Sequence, residues 1–295
     1  MNSIQKAQTI GAGGFGKIRV YYSQQFKRKV IEKTIKPNFF RLRDGNRIRL
    51  STIFLNYNNY HIREIDLQKE SAFMMLMKLA KLDCCVEILG FAFNPFRIIM
   101  EYCEGGDLRM VLDQYNVPVQ DKIVIIIQIL YAIKRIHQLK VIHGDLKCKN
   151  IFLANKYVPG NYSNIKIKIG DFGLSEVGGK LIVGGTPGFA APESFRTGGS
   201  FESDIYSVGK IMLEIMTQLP VETICAINIS NINLIKNRLP KFLNATTIYN
   251  LVIPCLNIDP KKRPTADKLY ALFFVLFNSI IITLKIVLNK MTSGK

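Results

Sequence analysis

The sequence predicts an α+β chain in two parts, a small β-rich part with one main helix and then a larger, mainly helical part. Three observations predict it. Short apolar runs with β-branched and aromatic residues fill the first hundred positions: Ile18–Tyr22, Lys29–Ile35, Val86–Phe93 and Arg97–Tyr102. A single helical pattern interrupts them, with Phe73, Met74 and Met77 at helical spacing. After Gly105-Gly106 the pattern changes to long apolar runs of helical length, Lys122–His137 and Asp204–Met216. The expected organisation is one domain over residues 1–295, with the small part at about 1–102 and the large part at about 103–290. The basic, polar stretch from Lys36 to about Tyr60 reads as an insertion of unassigned structure.

The chain has 295 residues, 48% of them apolar and 21% charged, ordinary values for a globular protein. Its formal charge of +18 is not ordinary and favours an anionic partner, such as acidic protein sites. No block of five or six consecutive Lys or Arg exists, so nucleic acid is not an expected partner. Six cysteines form no even framework and no CxxC pair, and only three histidines are present. Structural zinc is therefore not expected, and reduced thiols of an intracellular, cytoplasmic protein are. The N-terminal residues lack the apolar segment of a signal peptide. From Leu269 to Leu288 the chain is apolar except for Asn278, Ser279, Lys285 and a few small residues. A bilayer span needs about 20 apolar residues, so this run is expected to be a buried terminal helix rather than a membrane tether.

Gly11-Ala12-Gly13-Gly14-Phe15-Gly16-Lys17-Ile18 is a glycine-rich loop followed by the strand-like Ile18-Arg19-Val20-Tyr21-Tyr22. Without Cβ atoms, glycine backbone N–H groups can approach phosphate oxygens. A dinucleotide site would need a helix at the third glycine, and a strand follows instead. Val30-Ile31-Glu32-Lys33 then places a lysine on the next strand, where it can hold phosphate as a point charge.

His143-Gly144-Asp145-Leu146-Lys147-Cys148-Lys149-Asn150 and Asp171-Phe172-Gly173 complete an ordered set. With the glycine loop and Lys33 before them and Ala191-Pro192-Glu193 after, the chain resembles eukaryotic-type protein kinases from Gly11 to Arg263. The resemblance implies the two-lobed kinase fold, ATP and Mg²⁺ as cofactors, and protein substrates. It assigns Asp145 to the substrate hydroxyl, Lys147 to the γ-phosphate, and Asn150 with Asp171 to the metal. It also asks for an acidic partner to Lys33. Of Glu64 and Glu70, the second has Phe73, Met74 and Met77 at +3, +4 and +7, and that apolar face selects Glu70. Met100-Glu101-Tyr102-Cys103-Glu104-Gly105-Gly106-Asp107 resembles the kinase hinge. That likeness implies adenine bonding by the backbone of Glu101 and Cys103, Met100 behind the ring, and Asp107 at the ribose. Ile18 and Ile31 would roof the purine, and Phe152 would floor it.

Lys147, two residues after Asp145, and Gly185-Thr186-Pro187-Gly188-Phe189-Ala190 match the serine/threonine class, in which Thr186 bridges Asp145 and Lys147. Glu193 is expected to pair with Arg263, and Asp204 to cap the catalytic-loop backbone. Two positions depart from the family pattern. Ile31 stands where alanine is usual, and Gly144 where many kinases carry an arginine that receives an activation-loop phosphate. These departures keep a second reading open, a catalytically weak pseudokinase acting as a nucleotide-binding scaffold.

Overall fold

The computed structural model describes residues 8–13, 16–34, 66–93, 96–178, 183–233, 235 and 245–277. The expected insertion at 36–60, Gly14, Phe15, Glu64 and the run beyond Phe277 lie outside them. The chain divides into two units, Met1–Lys81 with Val86–Tyr102, and Leu82–Cys85 with Cys103–Lys295.

The first unit is built on strands β1 (Gln8–Gly13), β2 (Gly16–Ser23), β3 (Arg28–Thr34), β4 (Ile88–Ala92) and β5 (Arg97–Glu101), in the sheet order β1-β2-β3-β5-β4. All pairings are antiparallel; short turns join β1 to β2, β2 to β3 and β4 to β5, while β3 and β5 meet across a long connection. The glycine loop is the turn between β1 and β2, where Gly13 pairs with Gly16. One helix, α1 (66–79), belongs to this unit. Its buried residues Leu67, Glu70, Phe73, Met74 and Met77 recur at three or four positions, the spacing that puts them on one face.

The second unit is mostly helical. Helices α2 (Leu108–Gln114) and α3 (Val119–Gln138) come first, then α4 (Phe201–Thr217), α5 (Val221–Ala226), α6 (Ala245–Cys255) and α7 (Ala266–Leu276). In α3 the run Ile123–Ile127 is fully buried. So many β-branched residues favour helix only weakly, so burial rather than propensity stabilises this element. α4 begins at a capping box in which Ser200 and Ser203 bond each other's backbone. It passes so close to α6 that a Cβ on Gly209 would come within 2.8 Å of Cys255 Cβ.

Between α3 and α4 lie four short strands, β6 (Val141–Ile142), β7 (Ile151–Leu153), β8 (Ile167–Ile169) and β9 (Glu176–Val177). They form the pairs β6-β9 and β7-β8. Leu82–Cys85 goes with this unit because Cys84 O accepts the Ile169 N–H at 2.8 Å. The architecture is thus the expected one, a β-sheet lobe with one helix and a helical lobe. The apolar run from Leu269 is helical to Leu276, and only Leu269 and Phe273 of that helical stretch are buried, while Val275 is 71% exposed. Among the described residues, no helix is long and apolar enough to cross a membrane.

Candidate active site

In the first unit, Lys33 on β3 donates to both carboxylate oxygens of Glu70 on α1, at 2.8 and 2.7 Å. Glu70 is 4% exposed, and a buried carboxylate is tolerable only when paired in this way. Register sets Lys33 opposite Ile18 on β2 and Ile98 on β5, and Ile31 opposite Met100. Ile18 and Ile31 are two residues off one another's register partners, Ile18 against Lys33 and Ile31 against Val20. Gly11, Ala12, Gly13 and Gly16 lie at the β1–β2 end. Glu101 is braced by Glu87, whose N–H bonds the Glu101 carboxylate at 2.7 Å and whose carbonyl accepts the Glu101 N–H at 3.0 Å.

In the second unit the loop from His143 to Asn150 centres on Asp145. Thr186 donates to Asp145 Oδ1 from its hydroxyl at 2.6 Å and from its backbone N–H at 3.0 Å. Lys147 Nζ lies 2.7 Å from Asp145 Oδ2 and 2.7 Å from the Thr186 hydroxyl. Asn150 donates to Asp145 Oδ2 at 3.1 Å and to its backbone carbonyl at 2.8 Å. Burial pushes the Asp145 carboxyl up, but the bonds from Lys147 and Thr186 outweigh it and hold the group below its ordinary value.

The strand pair β7-β8 positions the two metal-type residues. Ile151 faces Ile169, so Asn150 and Asp171 flank the same end of the pair, and Gly170 N–H bonds Asn150 O at 3.0 Å. Asp171 is exposed and has φ 62, in the left-handed region sparsely used by non-glycine residues. Asn150 spends its amide hydrogens on Asp145, which leaves Oδ1 as its remaining acceptor. A carboxylate and an amide oxygen are the hard donors that Mg²⁺ takes when phosphate and water supply its other ligands. Asn150 and Asp171 are therefore of the donor types that fit Mg²⁺. Asp107 is the N-cap of α2, accepting the Met110 N–H at 3.0 Å, and it bridges to Phe152 on β7. Cys103 is buried, and its carbonyl accepts the Gly106 N–H at 3.1 Å.

Several supporting residues were expected. Asp204 accepts from the backbone N–H of His143 at 2.8 Å and of Gly144 at 3.0 Å. Arg263 pairs with both oxygens of Glu193, at 2.5 and 3.0 Å, and this pairing keeps the Glu193 carboxyl below its ordinary value against the opposing effect of burial.

Others were missed by sequence reasoning. His143, fully buried, accepts the Asp145 N–H on Nδ1 at 3.3 Å, and its Nε2 reaches Gly170 O at 3.1 Å, tying the Asp145 loop to the segment before Asp171. His137 bonds Asp204 at 2.9 Å. Ser207 donates to Phe189 O at 2.9 Å. His143 was legible as part of its motif. Ser207 had only its spacing from Asp204 to mark it.

The chain matches the protein kinase domain family over residues 4–275. It is 29% identical to the probable serine/threonine-protein kinase zyg-1 of Caenorhabditis briggsae over 224 residues, 74% of this chain and 27% of that protein. It is 28% identical to the human serine/threonine-protein kinase Nek11 over 287 residues, 88% of this chain and 38% of that protein. Against the serine/threonine-protein kinase KIC1 of Saccharomyces cerevisiae it is 32% identical, over 60% of this chain and 17% of that protein. The chain thus spans less than half the length of these relatives. With the match running from the glycine loop to α7, this chain belongs to the protein kinase domain family.

Proposed function

We propose that the chain is a serine/threonine protein kinase, a single kinase domain over residues 1–295 that transfers the γ-phosphate of ATP to protein hydroxyls. The observation that carries this reading is the Asp145 carboxylate held by Lys147, Thr186 and Asn150. Mg²⁺-bound ATP would supply the phosphoryl group and neutralise its charge. Asn150 and Asp171 would hold the metal, and Lys33, oriented by Glu70, the α- and β-phosphates. The loop of Gly11, Ala12, Gly13, Gly14, Phe15 and Gly16 would cover the phosphates. Met100, Glu101, Cys103, Asp107, Ile18, Ile31 and Phe152 would hold the nucleoside.

A carboxylate offers about four lone-pair positions, and the four bonds to Asp145 use them all. An incoming substrate hydroxyl therefore takes the place of Thr186 Oγ1, which goes on accepting from Lys147 while its own O–H turns away from Asp145. Asp145, kept ionised by its neighbours, orients that hydroxyl and receives its proton, while Lys147 steadies the transferred group. Labelled ATP and generic acidic and basic proteins test this. Asp145→Asn should lower kcat about a thousandfold while nucleotide binding persists. Binding without transfer by the unmodified chain would instead establish the pseudokinase scaffold.

The charge of +18 favours acidic sites on protein targets. The six cysteines, none of them in a disulfide, suit a reducing, intracellular compartment. Activity is further proposed not to need activation-loop phosphorylation. Gly144, at φ 81, offers no guanidinium to a phosphate, and the small residues Gly184, Ala190 and Ser194 line a small cavity beside it. Ser175 holds the only hydroxyl between Gly173 and Gly185, and it is fully buried, donating to His143 O at 3.1 Å. Phosphatase-treated enzyme should keep its activity; its loss would refute this.

A further inference from the structure

α4 is buried along nearly all of its length, yet Ser203, Asp204, Ser207, Lys210 and Glu214 are polar. Their spacing of three or four puts them on one stripe. The stripe serves the site in order. Ser203 bonds Glu193 at 3.2 Å, Asp204 holds the catalytic-loop backbone, and Ser207 holds Phe189 O. Lys210, next along the stripe, has no assigned task, and nothing about a lysine favours burying it to 1% exposure.

Its ammonium donates to three backbone carbonyls at the C-terminal end of α5, Ile224 at 2.7 Å, Cys225 at 3.3 Å, and Ile227. Among the described residues it pairs with no carboxylate. The Ile227 N–H already reaches Thr223 O and Ile224 O, each at 3.2 Å, so the ammonium adds a second bond at Ile224 O and takes up the Cys225 and Ile227 carbonyls, where the negative end of the helix dipole favours a cation. The far side of this helix end abuts the loop that carries Thr186. Cys225 Sγ lies 3.8 Å from Pro187 O, and a Cβ on Gly188, where φ is 89, would overlap Cys225. Phe189 and Ala190 N–H groups close the turn onto Thr186 O at 3.1 and 2.9 Å. Thr186 bonds Asp145.

We infer that Lys210 is a positioning residue for the substrate side of the site: it clamps the end of α5, and α5 buttresses the Thr186–Ala190 turn against Asp145. The inference rests on the kinase reading, in which that turn receives the protein substrate. Burial lowers the Lys210 pKa from the usual lysine range to about 8, with the Cys225 thiol on α5 acting in the opposite direction. Glu214 on α4 and Glu222 on α5 act on that thiol in turn. A neutral amine has only two N–H groups, so loss of its proton leaves one carbonyl without a donor and loosens the clamp. The linkage sign is distinct from this local loosening. The unfolded chain binds the Lys210 proton more tightly, so this group's contribution to global stability rises as pH increases from about 8 to 10.5. A looser turn in a chain that is no less stable is therefore the signature of the clamp.

Lys210→Met keeps the apolar stem and removes the donors. The peptide KM should rise about tenfold, with kcat and the ATP KM within about twofold. Amide exchange of residues 185–190, corrected for intrinsic rates, should quicken without substrate. In the unmodified chain both effects should set in between pH 7 and 9 and be absent from Lys210→Met. Unchanged peptide KM and unchanged exchange in the variant, or a flat pH series in the unmodified chain, would overturn the inference. Should the variant fail to fold, the pH series of the unmodified chain decides it. If the unmodified chain transfers no phosphate, the kinase reading falls, and exchange at 185–190 still decides whether Lys210 is a clamp.

Discussion

Helices α3 and α4 are both long and both buried, but their polar residues are put to different uses. In α3, Gln128 bonds Ile165 O and the Ile167 N–H, each at 2.9 Å, and Lys122 reaches Met216 O at 3.2 Å. Asp121 holds Tyr157 at 2.7 Å and the Gly160 N–H at 2.8 Å. These bonds satisfy backbone and loop groups on the far side of the lobe. In α4, Ser203, Asp204 and Ser207 end on Glu193, the catalytic loop and Phe189. Two helices of one core therefore divide the labour: apart from His137, which bonds Asp204, α3 holds backbone and loop groups away from Asp145, whereas α4 holds the segments of Glu193, His143–Gly144 and Phe189.

The largest effect that would test this division is at Asp204. Asp204→Ala strips acceptors from His143, Gly144 and His137, and a buried donor left unpaired costs about 1–3 kcal/mol. Stability should fall by about 3 kcal/mol in urea unfolding, and kcat by about a hundredfold at temperatures where the variant stays folded, because the Asp145 loop loses its placement. Loss of stability with kcat intact would break the comparison.

A smaller change should follow in α3. Gln128→Leu should lose about 2 kcal/mol by the same reasoning, with kcat within about twofold of the parent below its unfolding transition. A large fall in kcat would show that strain in β8 reaches Asp171, and that α3 also governs the site.

The sequence made one half of this division far easier to read than the other. Asp145, Asn150 and Asp171 stand in ordered motifs whose residue types the chemistry demands, and Glu70 could be chosen from the apolar face that carries it. The polar stripe of α4 was harder. Asp204 has a motif around it, but Ser207 and Lys210 stand within the apolar helical run Asp204–Met216 with nothing in the sequence to give either a partner. Only the packing of α5 against α4 gives Lys210 its acceptors, and that contact joins segments with no shared pattern. Strands of two or three residues, such as β6 and β9, are too short for alternation to register. His143 was visible in its motif, but its bond to Gly170 O follows only from the folded β7-β8 pair.

Gly209 has a consequence for how this sequence can drift. The close passage of α6 leaves no room for even a methyl group at that position, one residue before Lys210. The distance between two large helices is thus set by a missing side chain. A mutation to alanine would add helix propensity and look harmless in any tally of favourable residues. It would nonetheless force α4 or α6 to shift, and a shift of α4 would carry its row of polar side chains along, so a change that favours the helix locally would disturb what the helix holds.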